Sequence, residues 1–285
     1  MGLGIAHVFA LFGHEVSLVD VDETLLEKAL NTIDKNLTRQ VQKERISLKD
    51  KEGALQRINT TTDFKKGVSN VKLAVEAATE KESLKLKIFE DLDAFCPVDA
   101  ILASNTSSIS INKIASVTSR ADKVIGMHFM NPVPMMQLVE IVKGKLTSQK
   151  TVDEIQELSV QLGKIPVVVN DAPGFVANRI LMPMINEAIY TLHEGVAGVE
   201  EIDTIMKLGM FHPMGPLQLA DFIGLDVCLF IINVMHEEFG SAKYAPCPLL
   251  VEMVAQDSLG AKTKKGFYNW SEGAKNLKVS DNFTA

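Results

Sequence analysis

Met1-Gly2-Leu3-Gly4-Ile5-Ala6-His7-Val8-Phe9-Ala10-Leu11-Phe12-Gly13-His14-Glu15-Val16-Ser17-Leu18-Val19-Asp20 opens the chain, and its succession of turn, helix and strand decides the fold. Ile5, Val8, Phe9 and Phe12 fall on one face of a helix, and Gly13 stands where a helix C-terminus favours a left-handed residue. The apolar run after it ends at Asp20. A dinucleotide-binding fold uses this order. Its glycines let backbone N–H groups approach a pyrophosphate at a helix N-terminus, and an acid at the next strand's end accepts bonds from the adenosine ribose. Such an acid also repels a 2'-phosphate. Gly2, Gly4 and Asp20 are therefore candidate cofactor contacts, and Asp20 favours NAD over NADP. Two glycines and a strand-end Asp are also ordinary turn chemistry, so the rest of the chain has to decide.

Outward from that stretch, the first 170 residues alternate short β-branched runs with amphipathic segments, the pattern of β-α units in a mostly parallel sheet. Strands are predicted over Glu15 to Asp20, Val71 to Ala78, Ala100 to Asn105, Lys123 to Phe129, Gln137 to Val142 and Ile165 to Asn170. Leu26, Leu30, Ile33, Leu37 and Val41 recur at helical spacing behind Asp22, a candidate N-cap, and predict a helical hairpin over about residues 22–58. Further helices are predicted through Leu84, Ile88, Leu92 and Phe95, and through Ile155, Leu158 and Leu162 up to Gly163. After Asp171-Ala172-Pro173-Gly174 the β-branched runs stop. The expected organisation is a Rossmann-type α/β domain over 1–170 and an all-α domain over 171–285, with a polar, frayed tail from Ser271.

Composition narrows the function classes. With 46% hydrophobic and 23% charged residues, the chain matches an ordinary globular protein rather than a disordered one. A net charge of -7 argues against nucleic acid or an anionic membrane as partner. Cys96, Cys228 and Cys247 are widely spaced, which suits free thiols in a cytoplasmic protein and offers no metal framework. No apolar run is long enough to span a bilayer.

Three segments carry candidate chemistry. Ser104-Asn105-Thr106-Ser107-Ser108 follows an apolar strand, where open α/β sheets bind ligands, although a helix cap and turn would look the same. Val124-Ile125-Gly126-Met127-His128-Phe129-Met130-Asn131-Pro132 puts a histidine at another strand end. Glu140 lies inside the apolar Leu138-Val139-Glu140-Ile141-Val142, where burial is costly without a partner. His128 is the obvious one. A carboxylate on one imidazole nitrogen fixes the tautomer and makes the other nitrogen a better base, which suits a group that takes the hydroxyl proton during alcohol oxidation.

Ala103-Ser104-Asn105-Thr106-Ser107-Ser108, Gly126 to Pro132, Leu138-Val139-Glu140 and Pro173-Gly174-Phe175-Val176-Ala177-Asn178-Arg179 together resemble the successive signatures of the L-3-hydroxyacyl-CoA dehydrogenase family. Pro213-Met214-Gly215-Pro216 and Lys265-Gly266-Phe267-Tyr268 are similar to its C-terminal domain. Within the family the chain looks most like the bacterial 3-hydroxybutyryl-CoA dehydrogenases. The resemblance implies His128 as acid/base with Glu140 as its electrostatic partner. It further implies Ser107 on the substrate oxygen, Asn178 holding substrate or histidine, and Asn131 on the nicotinamide side. Glu80, Lys85 and Lys262 match cofactor contacts, with a solvated helix start as the alternative for Glu80 and Lys85. Acyl-CoA carries phosphates, and residues 34–66 hold nine Lys or Arg against five Asp or Glu. Lys43 and Asn36 match family CoA contacts, with a solvated helix face as the alternative for any one lysine. A homodimer through the helical domain is expected.

The family pattern has a strand and two further glycines ahead of Met1, about ten residues, and in the strand order 3-2-1-4-5-6 that strand is central. Without it the sheet is expected to open between two neighbours, and a start codon upstream of Met1 is the favoured expectation. Three functions stay open on the residues: interconversion of 3-hydroxybutyryl-CoA and acetoacetyl-CoA with NAD, oxidation of a hydroxy acid lacking CoA, and an acyl-CoA-binding relic without an NAD site.

Overall fold

The computed structural model describes residues 1–284. Contacts divide the chain into two compact units, Met1–Ala172 and Pro173–Ala285.

The first unit opens on α1 (Gly2–Leu11), β1 (Val16–Val19), α2 (Glu23–Gln42), α3 (Leu48–Gln56), β2 (Ile58–Thr61) and α4 (Phe64–Val68). It continues through β3 (Leu73–Glu76), α5 (Glu82–Phe95), β4 (Ile101–Ser104), α6 (Ile111–Ala115), β5 (Val124–Phe129), β6 (Leu138–Lys143), α7 (Gln149–Gln161) and β7 (Ile165–Asn170). Each of the six predicted strands is present. Gly13 and Gly163 take positive φ values of 93° and 67°, and the residue after each closes back onto the helix it terminates: His14 N–H donates to Phe9 O and Lys164 N–H to Ser159 O. Asp22 caps α2 by accepting from Thr24 N–H at 2.7 Å.

The strands form two sheets. β1 pairs in parallel with β2, and β3-β4-β5-β6-β7 form a five-stranded sheet in that order. All its neighbours are parallel except β5 and β6, so the mostly parallel expectation holds. Ile5 and Val8 of α1 pack on the five-stranded sheet with Ile125, Met127 and Ile141. The opposite face of α1, through Ala6 and Ala10, packs on Ile33, Leu37 and Ala54 of the α2–α3 hairpin. One helix thus joins sheet and hairpin.

The hairpin ends at Gln56, in line with the expected bounds, and Ile58 begins β2, a strand that is not among the predicted ones. The sequence Ile-Asn-Thr-Thr has one large apolar residue, too little to show a strand period.

The second unit contains α8 (Ala177–His193), α9 (Val199–Gly209), α10 (Pro216–Ile223), α11 (Leu225–Phe239), α12 (Pro248–Ala255), β8 (Tyr268–Asn269) and β9 (Lys278–Val279). α10 and α11 are bent by 97° at Gly224, whose φ of 106° admits the corner. Leu217, Leu225, Ile185 and Phe267 anchor the core of this unit. No single described helix is long and apolar enough to cross a membrane.

The unit is helical as expected, with one two-residue antiparallel ladder, β8–β9, near its end. One expectation for it needs correction. The tail beyond Ser271 is not frayed: Ser280 is buried, its hydroxyl donates to Gly266 O at 2.7 Å, and Phe283 packs on Phe267. Polar composition concealed a segment held by a few specific contacts.

Candidate active site

β5 and β6 run antiparallel with His128 directly opposite Glu140, so both side chains leave the same face of the sheet. His128 Nδ1 lies 2.7 Å from Glu140 Oε2, with the residues 8% and 3% exposed. A carboxylate so far from water needs this partner, and the partner gains a fixed tautomer in return. The expected pairing is therefore brought together by strand register.

The β4 end supplies the neighbouring wall. Asn105 Oδ1 accepts from Phe129 N–H at 2.9 Å and ties the end of β4 to the end of β5 beside His128. Of Ser104 through Ser108, Ser107 is the one half-buried residue in an otherwise buried run. Its N–H donates to Glu80 Oε1 at 2.9 Å. Ser108 N–H and Oγ reach the same oxygen at 3.1 and 2.9 Å, and Thr106 Oγ1 also donates to it. Burial pushes the Glu80 carboxyl up, but bonds from Thr106, Ser108 and Ser107 and the Lys85 charge outweigh it and hold the group below its ordinary range.

Lys85 is not at a solvated helix start. It is 1% exposed, and its ammonium lies 2.7 Å from Glu76 Oε1, 3.3 Å from Glu80 Oε2 and 3.2 Å from Ala78 O. Three acceptors surround its three protons.

Other predicted residues lie as follows. α1 starts at Gly2 with no side-chain cap and no acid in its first turn, so its positive end suits an anion. A Cβ on Gly2 would meet only Ala77, at 3.8 Å, whereas one on Gly4 would crowd Val133 at 3.0 Å. Gly4 thus has a packing reason of its own. Asp20 is exposed at the end of β1 and accepts from Val21 N–H at 2.7 Å. An open helix N-terminus beside a strand-end carboxylate fits the phosphates and ribose of NAD. Asn131 is exposed in the loop after β5. Asn36 and Lys43 sit seven residues apart, two turns along one side of α2 and its C-cap, with Lys43 exposed.

In the second unit, Asn178 is buried in the first turn of α8, and Lys262 pairs with Asp226. Sequence reasoning missed Glu76, Asn105, Asp203 and Asp221. Only Glu76, an acid in an apolar run like Glu140, carried a readable signal.

A nucleotide-type α/β domain with a buried His–carboxylate pair at its strand ends, followed by a helical domain, defines a two-domain dehydrogenase. Residues 1–172 match the model of the 3-hydroxyacyl-CoA dehydrogenase NAD binding domain, and residues 174–270 match that of the 3-hydroxyacyl-CoA dehydrogenase C-terminal domain. The chain belongs to the 3-hydroxyacyl-CoA dehydrogenase family. It is 51% identical over 275 residues to a 3-hydroxybutyryl-CoA dehydrogenase of Bradyrhizobium diazoefficiens, covering 96% of this chain and 93% of that one. With the enzyme of the same name from Clostridioides difficile it shares 50% identity, over 95% and 96% of the two chains. The crystal structure of (S)-3-hydroxybutyryl-CoA dehydrogenase from Ralstonia eutropha superposes with a TM-score of 0.90 at 49% identity, covering 93% of this chain and 94% of that one.

Proposed function

We propose that this protein interconverts (S)-3-hydroxybutyryl-CoA and acetoacetyl-CoA with NAD, using His128 as acid/base. The observation that carries the reading is the buried His128–Glu140 pair, in a chain about half identical to 3-hydroxybutyryl-CoA dehydrogenases along nearly all its length.

NAD, when bound, supplies the acceptor for the hydride leaving the carbinol carbon. The chain's residues manage the proton. As the carbonyl forms, the hydroxyl becomes acidic, and His128 takes its proton at Nε2 while Glu140 at Nδ1 stabilises the imidazolium. In the reverse direction the same nitrogen returns the proton. Ser107 donates to the substrate oxygen.

Gly2, Gly4 and Asp20 hold the cofactor's phosphates and ribose, with Glu80 and Asn131 as further contacts, whereas Lys85, buried with its three protons occupied, stands behind Glu80. Asn36 and Lys43 on the basic hairpin take the CoA moiety. Ile180, Leu208, Phe211 and Phe222 are exposed apolar residues of the second unit, which supports a homodimer through that domain. Cys96, Cys228 and Cys247 are buried free thiols, in keeping with a cytoplasmic location.

The substrate class is tested by following NADH oxidation with acetoacetyl-CoA and, in parallel, with acetoacetate. Turnover with the thioester at least 100-fold above the free acid is expected. Comparable rates would move the assignment to a hydroxy acid lacking CoA.

A further inference from the structure

Glu76 ends β3, and it is an ionisable group that the reaction itself does not use. It is 6% exposed, and both of its oxygens are occupied. Oε1 accepts from Ala78 N–H at 2.6 Å and from Lys85 Nζ at 2.7 Å. Oε2 accepts from Ser104 Oγ at 2.7 Å, and the Glu76 backbone carbonyl accepts from Asn105 N–H at 2.7 Å. One residue therefore joins the end of β3, the first turns of α5 and the end of β4.

We propose that Glu76 is a positioning residue for the reaction, acting through Lys85 and Glu80 to set the loop that presents Ser107. The inference rests on the reading above in which Ser107 bonds the substrate oxygen. Lys85, held by Glu76, stands 3.3 Å from Glu80 Oε2, which leaves Glu80 Oε1 to gather the backbone N–H groups of Ser107 and Ser108. The Ser107 backbone is fixed at 2.9 Å, whereas its hydroxyl lies 3.5 Å from the same oxygen, too long for a strong bond. Such a loop is pinned by its backbone. Stability does not account for the arrangement, because a buried ion pair seldom outperforms apolar residues of the same volume. Geometry does: a displacement of about 1 Å in a reacting group costs on the order of 100-fold in rate.

The test is a double-mutant cycle in the full chain, read as kcat for acetoacetyl-CoA reduction with melting temperature as the folding control. Glu76→Gln is expected to lower kcat by about 10- to 100-fold, and Ser104→Ala, which removes the Oε2 tie together with the bond that Ser104 Oγ accepts from Thr106 N–H, by a smaller factor. Ser107→Ala should lower kcat alone, and in its background Glu76→Gln should change kcat by less than about twofold, since both act through one hydroxyl. A folded Glu76→Gln protein with kcat within twofold of wild type overturns the proposal. So do effects that multiply in the double variant, the signature of independent structural damage. If Glu76→Gln does not fold, Ser104→Ala with and without Ser107→Ala decides by the same criterion. An unchanged kcat in Ser107→Ala is a separate failure, and it removes the Ser107 reading itself.

Discussion

His128 and Glu140 were legible because each is improbable where it stands, a titratable group in an apolar strand. Their distance of twelve residues gave no geometry. The antiparallel register of β5 and β6 supplies it, placing the two opposite one another at 2.7 Å. Glu140→Gln keeps the shape and removes the charge that stabilises the imidazolium, so kcat should fall about 100-fold with little change in melting temperature. Steady-state NADH oxidation checks this, and a kcat within twofold of wild type would remove Glu140 from the proton chemistry. Lys85 shows the opposite case. Its sequence position offered a cofactor contact or, as the alternative, a helix start facing water, and no local pattern could reveal that two acids and a carbonyl close around it.

Among the elements, the longer helices and the apolar strands followed from periodicity, while β2, β8, β9 and the five-residue helices α4 and α6 did not, because such short segments cannot show a period. The glycine motifs of the second unit illustrate a further limit. A Cβ at Gly215 would overlap Asp203, and one at Gly266 would overlap Asp221. Asp203 accepts from Leu217 and Gln218 N–H at 2.9 Å each and caps α10 from α9. Asp221 accepts from Phe267 and Tyr268 N–H and from Trp270 Nε1–H at 3.0, 2.8 and 2.9 Å. Those signatures mark buried carboxylates rather than ligand contacts.

Two elements also carry buried groups with opposed responses to acid. Burial, with the Lys164 charge adding, pulls His7 of α1 from 6.5 down to about 4. The folded state then holds fewer protons than the unfolded one, and the first unit loses stability as pH falls from about 6.5 towards 4. Burial pushes Asp221 of α10 up to about 6 against bonds from Trp270, Tyr268 and Phe267. Its contribution is present in full below the unfolded value of 3.8 and lost as pH rises through about 6. His7→Gln should therefore remove about 2 kcal/mol of the acid destabilisation between pH 7 and pH 5. Urea titrations at both pH values, followed by circular dichroism and by fluorescence of Trp270, the sole tryptophan, check this. An unchanged pH dependence in the variant would show that His7 is not its source.

For the whole molecule, the sequence carried the two-part organisation in a change of periodicity after Asn170, and the contacts divide the chain between Ala172 and Pro173. The network that fixes the Ser107 loop was not legible, since it joins residues from β3, α5 and β4 that only the fold makes neighbours. Family membership and the sheet-borne His–Glu pair support the proposed chemistry, proton transfer by His128 during hydride exchange at a CoA thioester's β-carbon. The most direct measurement is the rate of NADH oxidation with acetoacetyl-CoA by the wild-type protein and by His128→Gln. Turnover by the wild type and a loss of about 100- to 10,000-fold in the variant are expected, with the melting temperature retained. Equal turnover in the two proteins would contradict His128 as the acid/base.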